Sequence, residues 1–147
     1  YEIRLSLVGS EMCIRDSHYT TVYDLYLIFN EAIKYSKFVD TLSCMKYTGS
    51  FTRKTAYGDY SIGCSYTNSN GFLTGSYATP DGIKVYGGKA GYTEVARRSY
   101  VMLAESNNGH KYIIITMRAE SNSLMYKDLS ALLNKIPVDK KSYADNE

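Results

Sequence analysis

Lys89 sits in the run VYGGKAGYT, residues 85–93, with glycines at 87, 88 and 91 and a threonine at 93. An ammonium group is a compact three-donor charge suited to a carboxylate. A glycine two residues on lets another backbone or a ligand approach closely. Lys89, Ala90 and Gly91 therefore read as a strand that presents a charge to a ligand, or as an exposed lysine beside a glycine turn. Arg97 and Arg98 follow shortly after. They can fork a carboxylate or lie solvated at a strand start, and the second is the plainer reading. Metal chemistry has few residues to draw on. Cys13, Cys44 and Cys64 show no CxxC spacing, and His18 and His110 are the only histidines, so a zinc site lacks ligands and no metal or other cofactor is expected. Cys44 and Cys64 can pair in an oxidising compartment, though two scattered cysteines are commonly free and buried.

The elements that must position Lys89 are legible in the periodicity. Residues 18–44 read as a helix with Thr20 or Thr21 as N-cap and Asp24 in its first turn. Val22, Leu25, Ile28, Phe29, Ala32 and Ile33 form its apolar stripe, and KFVDTL continues as a second short helical segment or turn. From Met45 to Tyr66 the pattern shifts to two alternating runs joined by TAYGD, which predicts paired strands. TNSNG (67–71) and ATPDG (78–82) are turn chemistry. IKVYGG, RRSYVMLAES and KYIIITMRAE then read as strands, with NNG as a hairpin signal between the last two. Residues 121–136 predict an amphipathic helix with Leu124, Leu129, Leu132, Leu133 and Ile136 inward, ended by Pro137. Helix, two strands, a Gly-rich strand, a hairpin and a helix make an α+β fold: an antiparallel sheet with an N-terminal and a C-terminal helix packed on it. Sixteen tyrosines and no tryptophan agree with a β-rich domain. A net charge of +2 with both signs interspersed gives no reason to expect nucleic acid or a membrane surface as partner.

Several of these pieces, in this order, resemble the serine D-Ala-D-Ala carboxypeptidases, penicillin-binding proteins that share their fold with serine β-lactamases. GGKAGYTEVARRSYVMLAESNNGHKYIIITMRAE is similar to the family's third active-site motif, Gly-x-Lys-Thr-Gly-x-Thr, and the hairpin after it. HYTTVYDLYLIFNEAIKYSKF resembles the helix after the second motif, and YTNSNGFL the Asn-rich stretch ahead of the lysine motif. The resemblance covers residues 18–136 and implies a partial transpeptidase-like domain. It further implies that Lys89 helps bind the substrate's terminal carboxylate while the adjacent backbone pairs with an extended peptide. Ala90 departs from the pattern, because the family's threonine hydroxyl is missing; Thr93 can compensate. Arg97 and Arg98 stand where the family has Gly and a small or polar residue.

The other two motifs of the family, Ser-x-x-Lys and Ser-x-Asn, are not in their places. Ser43-Cys-Met-Lys46 spells the first, but after the helix that should follow it, and Ser106-Asn-Asn108 spells the second inside a hairpin turn. Both read as coincidence, and Tyr66-Thr-Asn68 belongs to the Asn-rich stretch. LSLVGSEMCIRDS within residues 1–17 resembles translated read-through of a sequencing-library adapter, so that segment is expected not to be native. The expected organisation is therefore residues 1–17 as artefact, 18–137 as the C-terminal part of a carboxypeptidase domain, and 138–147 as a polar tail or linker. The resemblance implies a parent enzyme that trims peptidoglycan stem peptides through an acyl-enzyme, binds β-lactams and is exported by a bacterium. This chain, without a nucleophile, is expected to be inactive alone. A pseudoenzyme that binds cell-wall peptide without turnover, or a self-standing binding module, are the alternatives.

Overall fold

The structure, a computed structural model, describes residues 19–139. The adapter-like segment 1–17, with Cys13, lies outside the described residues, as does the tail from residue 140 onward.

Helix α1 spans Val22–Ala32. Thr21 is its N-cap: the Thr21 hydroxyl accepts from the Asp24 N–H at 3.1 Å while the Asp24 carboxylate accepts from the Thr21 N–H at 3.2 Å. That reciprocal box satisfies two donors that the first turn would otherwise orphan. After a short break the chain re-enters a helix, α2 (Ser36–Ser43), the second helical segment expected from KFVDTL. Strands β1 (Lys46–Thr55) and β2 (Gly58–Thr67) form a hairpin with a two-residue turn, closed by Thr55 opposite Gly58. A non-repetitive stretch leads to β3 (Ile83–Thr93), β4 (Arg97–Ser106) and β5 (Lys111–Ala119), and α3 (Asn122–Leu133) ends the fold. Ser121 caps α3 by accepting from the Leu124 N–H at 3.1 Å.

The antiparallel strands fall into two sheets, a β1–β2 ribbon and a three-stranded sheet in the order β3-β4-β5. The second sheet carries the helices, one set on each face. Tyr100, Met102, Ala104 and Ile114 pack with Met125, Tyr126, Leu129 and Leu133 of α3. Their strand neighbours Val101, Leu103 and Ile113 pack instead with Phe29 of α1, its C-cap Ile33, and Phe38, Val39 and Leu42 of α2. Successive strand residues point to opposite faces, so β4 is buried from both sides: Met102, Leu103 and Ala104 have no exposed surface. This explains why RRSYVMLAES ends in a continuous apolar run rather than an alternation.

Two helix stripes depart from expectation. In α3 the inward residues are Met125, Tyr126, Leu129 and Leu133, whereas Leu124 and Leu132 are exposed. The expected stripe mixes two helix faces: Leu129, Leu133 and Ile136 pack on the sheet cluster with Met125 and Tyr126, and Leu124 and Leu132 do not. In α1 only Phe29 is buried, and Val22 and Ile28 are exposed. Cys44 and Cys64 are free thiols in this structure.

Candidate functional site

Strand β3 is an edge strand of the helix-bearing sheet, paired with β4 on one side only. In the ladder Lys89 lies opposite Val101, Ala90 opposite Tyr100, Gly91 opposite Ser99 and Thr93 opposite Arg97. Directly opposed residues share a face. Lys89 therefore projects to the α1/α2 side with Val101, and Ala90 to the α3 side with Tyr100. A β-bulge between Val85 and Gly87 re-aims the strand just before Lys89.

The glycines of this run have different reasons to be glycine. Gly87 takes a φ of +123°, and a Cβ there would come within 2.3 Å of the Leu42 carbonyl oxygen on α2. A Cβ on Gly88 would meet the Val101 carbonyl oxygen at 2.1 Å and the Tyr100 ring at 2.6 Å. Both are required by packing inside this chain. At Gly91 a Cβ would meet nothing within 4 Å. The outer edge is thus covered by α2 at Gly87 and open from Lys89 onward, where Lys89, Ala90, Gly91, Tyr92 and Thr93 are all exposed. An open strand edge offers its N–H and C=O groups to another extended chain. VYGGKAGYT is strand throughout and not a glycine turn.

Past the strand the chain reverses over three residues. The Ala96 N–H donates to the Thr93 hydroxyl at 3.0 Å, which closes the turn. Arg97 follows with a φ of +59°, in the left-handed region where three-residue hairpins usually place glycine. Thr93 thus has a hydrogen bond of its own within the loop. Arg97 is exposed. Arg98 instead stacks on Tyr92, its guanidinium carbon 4.7 Å from the ring centre. The Lys89 ammonium donates to the neighbouring Ala90 carbonyl oxygen.

Behind β3 a buried polar network holds the sheet to the loop before it. Asn70 is 2% exposed, and its amide donates to the Tyr100 hydroxyl at 2.8 Å while its carbonyl accepts from the N–H groups of Phe72 and Leu73. Asn68 donates to the carbonyl oxygens of Leu42 and Cys44 and accepts from the Asn70 N–H. The Tyr126 hydroxyl accepts from the Gly71 N–H at 2.8 Å, and the Tyr126 ring stacks on Tyr77 at 4.1 Å. Burial pushes the Tyr100 hydroxyl well above its ordinary pKa, with the neighbouring Tyr126 adding to the rise and the Asn70 hydrogen bond opposing it. The asparagines of YTNSNG are thus structural: they fasten the loop to the end of α2 and to β4, while Gly71 ties it to α3. Turn composition alone gave no sign of this, because the partners lie 24 to 55 residues away.

Neither serine motif assembles a nucleophile. Ser43 ends α2 and donates its hydroxyl to the Val39 and Asp40 carbonyl oxygens, both at 3.1 Å, while Lys46 opens β1. The Ser106 side chain bonds Asn108 within the β4–β5 turn, where Asn108 also accepts from the His110 N–H. Among the described residues no group of His, Cys, Asp and Glu gathers in a way that holds a metal ion, and no helix is long and apolar enough to cross a membrane.

An edge strand carrying Lys-x-Gly, backed by a hairpin and sandwiched between helices, has the fold of part of the penicillin-binding protein and D-Ala-D-Ala carboxypeptidase domains. No protein-family model and no curated protein matches the chain. Among solved structures it is similar to a D-alanyl-D-alanine carboxypeptidase from Mycobacterium tuberculosis H37Rv, with a TM-score of 0.54 and 23% identity. It is also similar to a penicillin-binding protein homologue from Mycobacterium tuberculosis, with a TM-score of 0.52 and 26% identity. Each match covers 78% of this chain and 39% of the other, so the chain spans well under half the length of these neighbours.

Proposed function

We propose that this chain carries the substrate-binding strand of a serine-type D-Ala-D-Ala carboxypeptidase that trims peptidoglycan stem peptides, the nucleophile-bearing part lying outside it. One observation carries the reading: Lys89, Ala90 and Gly91 stand on an open sheet edge where Gly91 is unexplained by packing within the chain. An extended peptide added to this edge would have its main chain held by β3 and its terminal carboxylate brought to Lys89, a charge-assisted contact. The catalytic cycle would be serine attack on the terminal peptide bond, release of D-alanine and hydrolysis of the acyl-enzyme by water. The family resemblance also supports β-lactam binding by the parent protein and an extracytoplasmic location.

The test is covalent labelling of the full reading frame by a fluorescent penicillin. The expected outcome is a serine adduct outside these 147 residues, with labelling lowered about 100-fold or more by Lys89→Ala. Folded protein that takes no label overturns the reading. Ala90 and Arg97 give a second reading some support, because both depart from the pattern at the ligand strand. That reading is a protein that binds cell-wall peptide without cleaving it, and it predicts stem-peptide binding with no labelling. Under the first reading, Ala90→Thr restores the hydroxyl of the family's motif, on the α3 face of the edge strand, and raises kcat/KM on a D-Ala-D-Ala peptide by about tenfold, from a hydrogen bond worth about 1–1.5 kcal/mol. An unchanged or lower kcat/KM counts against it.

A further inference from the structure

Where α2 meets the base of the β1–β2 ribbon there is a cleft of about 540 Å³, to which β3 contributes no residue. Tyr47 and Tyr66 wall it on the ribbon side. They are directly opposed in the ladder and so share one face of the ribbon. Both are more than half exposed. The other wall is the end of α2, with Asp40, Thr41 and the C-cap Cys44. Asp40 is the one formal charge of the cleft, and the only ion pair among the described residues, Lys34–Glu31, does not involve it. No basic residue stands in the last turn of α2, so the negative end of the helix dipole adds to the Asp40 field unopposed. The cleft is therefore electronegative, with aromatic rings beside the charge. Most of its other polar groups are already occupied. Asn68 donates its amide protons to the Leu42 and Cys44 carbonyl oxygens and accepts from the Asn70 N–H. The Thr41 hydroxyl donates to the Lys37 carbonyl oxygen at 2.7 Å, and the Cys44 thiol to that of Lys46 at 3.3 Å.

We propose that this cleft binds an alkylated ammonium ion, a cation of the choline or methylated-amine class. Aromatic faces attract a cation through the ring quadrupole, and a carboxylate beside them balances its charge. A quaternary head carries no N–H donors, so it places no demand on polar groups that already have partners. Its methyl groups lie against Tyr47 and Tyr66 while Asp40 faces its charge. A primary ammonium fits less well, because its three donors have few free acceptors beyond Asp40. An anion is repelled by Asp40 and by the helix end alike. An uncharged apolar ligand would desolvate the Asp40 carboxylate with nothing in return. The proposal goes beyond the carboxypeptidase reading and does not rest on it, since Lys89 and its strand lie outside the cleft.

The test is a titration of the isotopically labelled 147-residue chain with choline chloride, backbone amides being followed by NMR at constant ionic strength. Saturable shifts at Cys44, Tyr47 and Asn68 are expected. Affinity should fall about fivefold or more in Asp40→Asn and about threefold or more in Tyr66→Leu, and stay within about twofold in Lys89→Gln. Asp40 and Tyr66 are exposed, so both variants should keep the fold, which unchanged amide positions in β3, β4 and β5 verify. The neutral carbon analogue of choline, with a tert-butyl group in place of trimethylammonium, should bind about fivefold or more weakly, and n-butylammonium should also bind more weakly than choline. Tighter binding of choline than of phosphocholine assigns the site to a free amine, and the reverse order to a phosphorylated headgroup. Shifts that grow linearly with concentration or that sodium chloride reproduces overturn the proposal. So does equal affinity for the neutral analogue or for Asp40→Asn.

Discussion

Gly88 and Gly91 lie three residues apart in one strand and differ in what packing within the chain requires of them. A methyl at Gly88 collides with a β4 carbonyl, whereas one at Gly91 meets open space. Gly88→Ala should therefore destabilise the chain by about 1–3 kcal/mol, the usual penalty for overpacking. Gly91→Ala should change stability by less than about 0.5 kcal/mol, yet obstruct a ligand strand at the edge. Urea melts of the two variants check this, and equal destabilisation would remove the argument that Gly91 is kept for a ligand. Arg97 makes the converse case. A left-handed non-glycine residue costs roughly 1–2 kcal/mol, part of which glycine gives back through its freer unfolded chain. Arg97→Gly should thus raise stability by about 0.5–1 kcal/mol; a fall would show that the Arg97 side chain makes a compensating contact. Tyr100 supplies a pH signature. Its folded-state pKa is raised above the ordinary value of 10.0, so its contribution is fully present below pH 10 and is lost as pH climbs above that value. Stability should fall from pH 9.5 to 11.5. Tyr100→Phe should flatten that fall while costing about 1–3 kcal/mol at pH 8, because Asn70 loses its acceptor.

The β1–β2 ribbon raises a different question at the level of elements. Its register puts Tyr47 opposite Tyr66, Phe51 opposite Ile62 and Arg53 opposite Tyr60, so one face is mostly aromatic and apolar. Lys46, Thr48, Ser50, Thr52 and Lys54 alternate with these and make the other face polar. The tyrosines and Phe51 of the apolar face are about half exposed or more, and a two-stranded ribbon alone is marginal. A second apolar surface borders β5: a groove of about 670 Å³ lined by Val22, Tyr23 and Tyr26 of α1, residues 112–115, and Leu132, Lys135, Ile136 and Pro137. The chain should accordingly bind a hydrophobic dye such as ANS while folded, and Phe51→Ser and Ile115→Ser should each lower the signal. A dye-silent native chain would count against these surfaces being open in solution. The same elements show what periodicity can and cannot give. The hairpin turns, the Thr21 cap and the helix end before Pro137 rest on contacts within a few residues, and each was legible. The division into two sheets and the true inward stripe of α3 depend on which element packs on which. A pattern in one strand or helix does not contain that information. The same holds for the candidate site: Lys89 and Gly91 stand out by type and spacing alone, while the Arg98–Tyr92 stack and the Asn70–Tyr100 bond need register and long-range packing.

At the scale of the whole molecule, stability should be graded from the centre of the larger sheet outward. Strand β4 has a helix layer on each side, and the two clusters it feeds have separate membership: Met102 joins the α3 cluster and Leu103 the α1/α2 cluster. Both side chains are fully buried, so Met102→Ala and Leu103→Ala should each cost about 2–5 kcal/mol. Their local effects should differ. Removing Leu103 loosens α1 and α2, hence the cover over the Gly87 end of β3, while α3 keeps its packing. Removing Met102 loosens α3 and leaves α2 seated on β3. Hydrogen exchange reads this directly. In the parent chain, β4 amides should be the slowest and those of the β1–β2 ribbon the fastest among the strands. In Leu103→Ala, protection should drop first in residues 22–43, and in Met102→Ala first in residues 122–133. Uniform loss across both helix layers in either variant would mean that the two clusters are one cooperative unit, and that the two faces of β3 cannot be tuned independently.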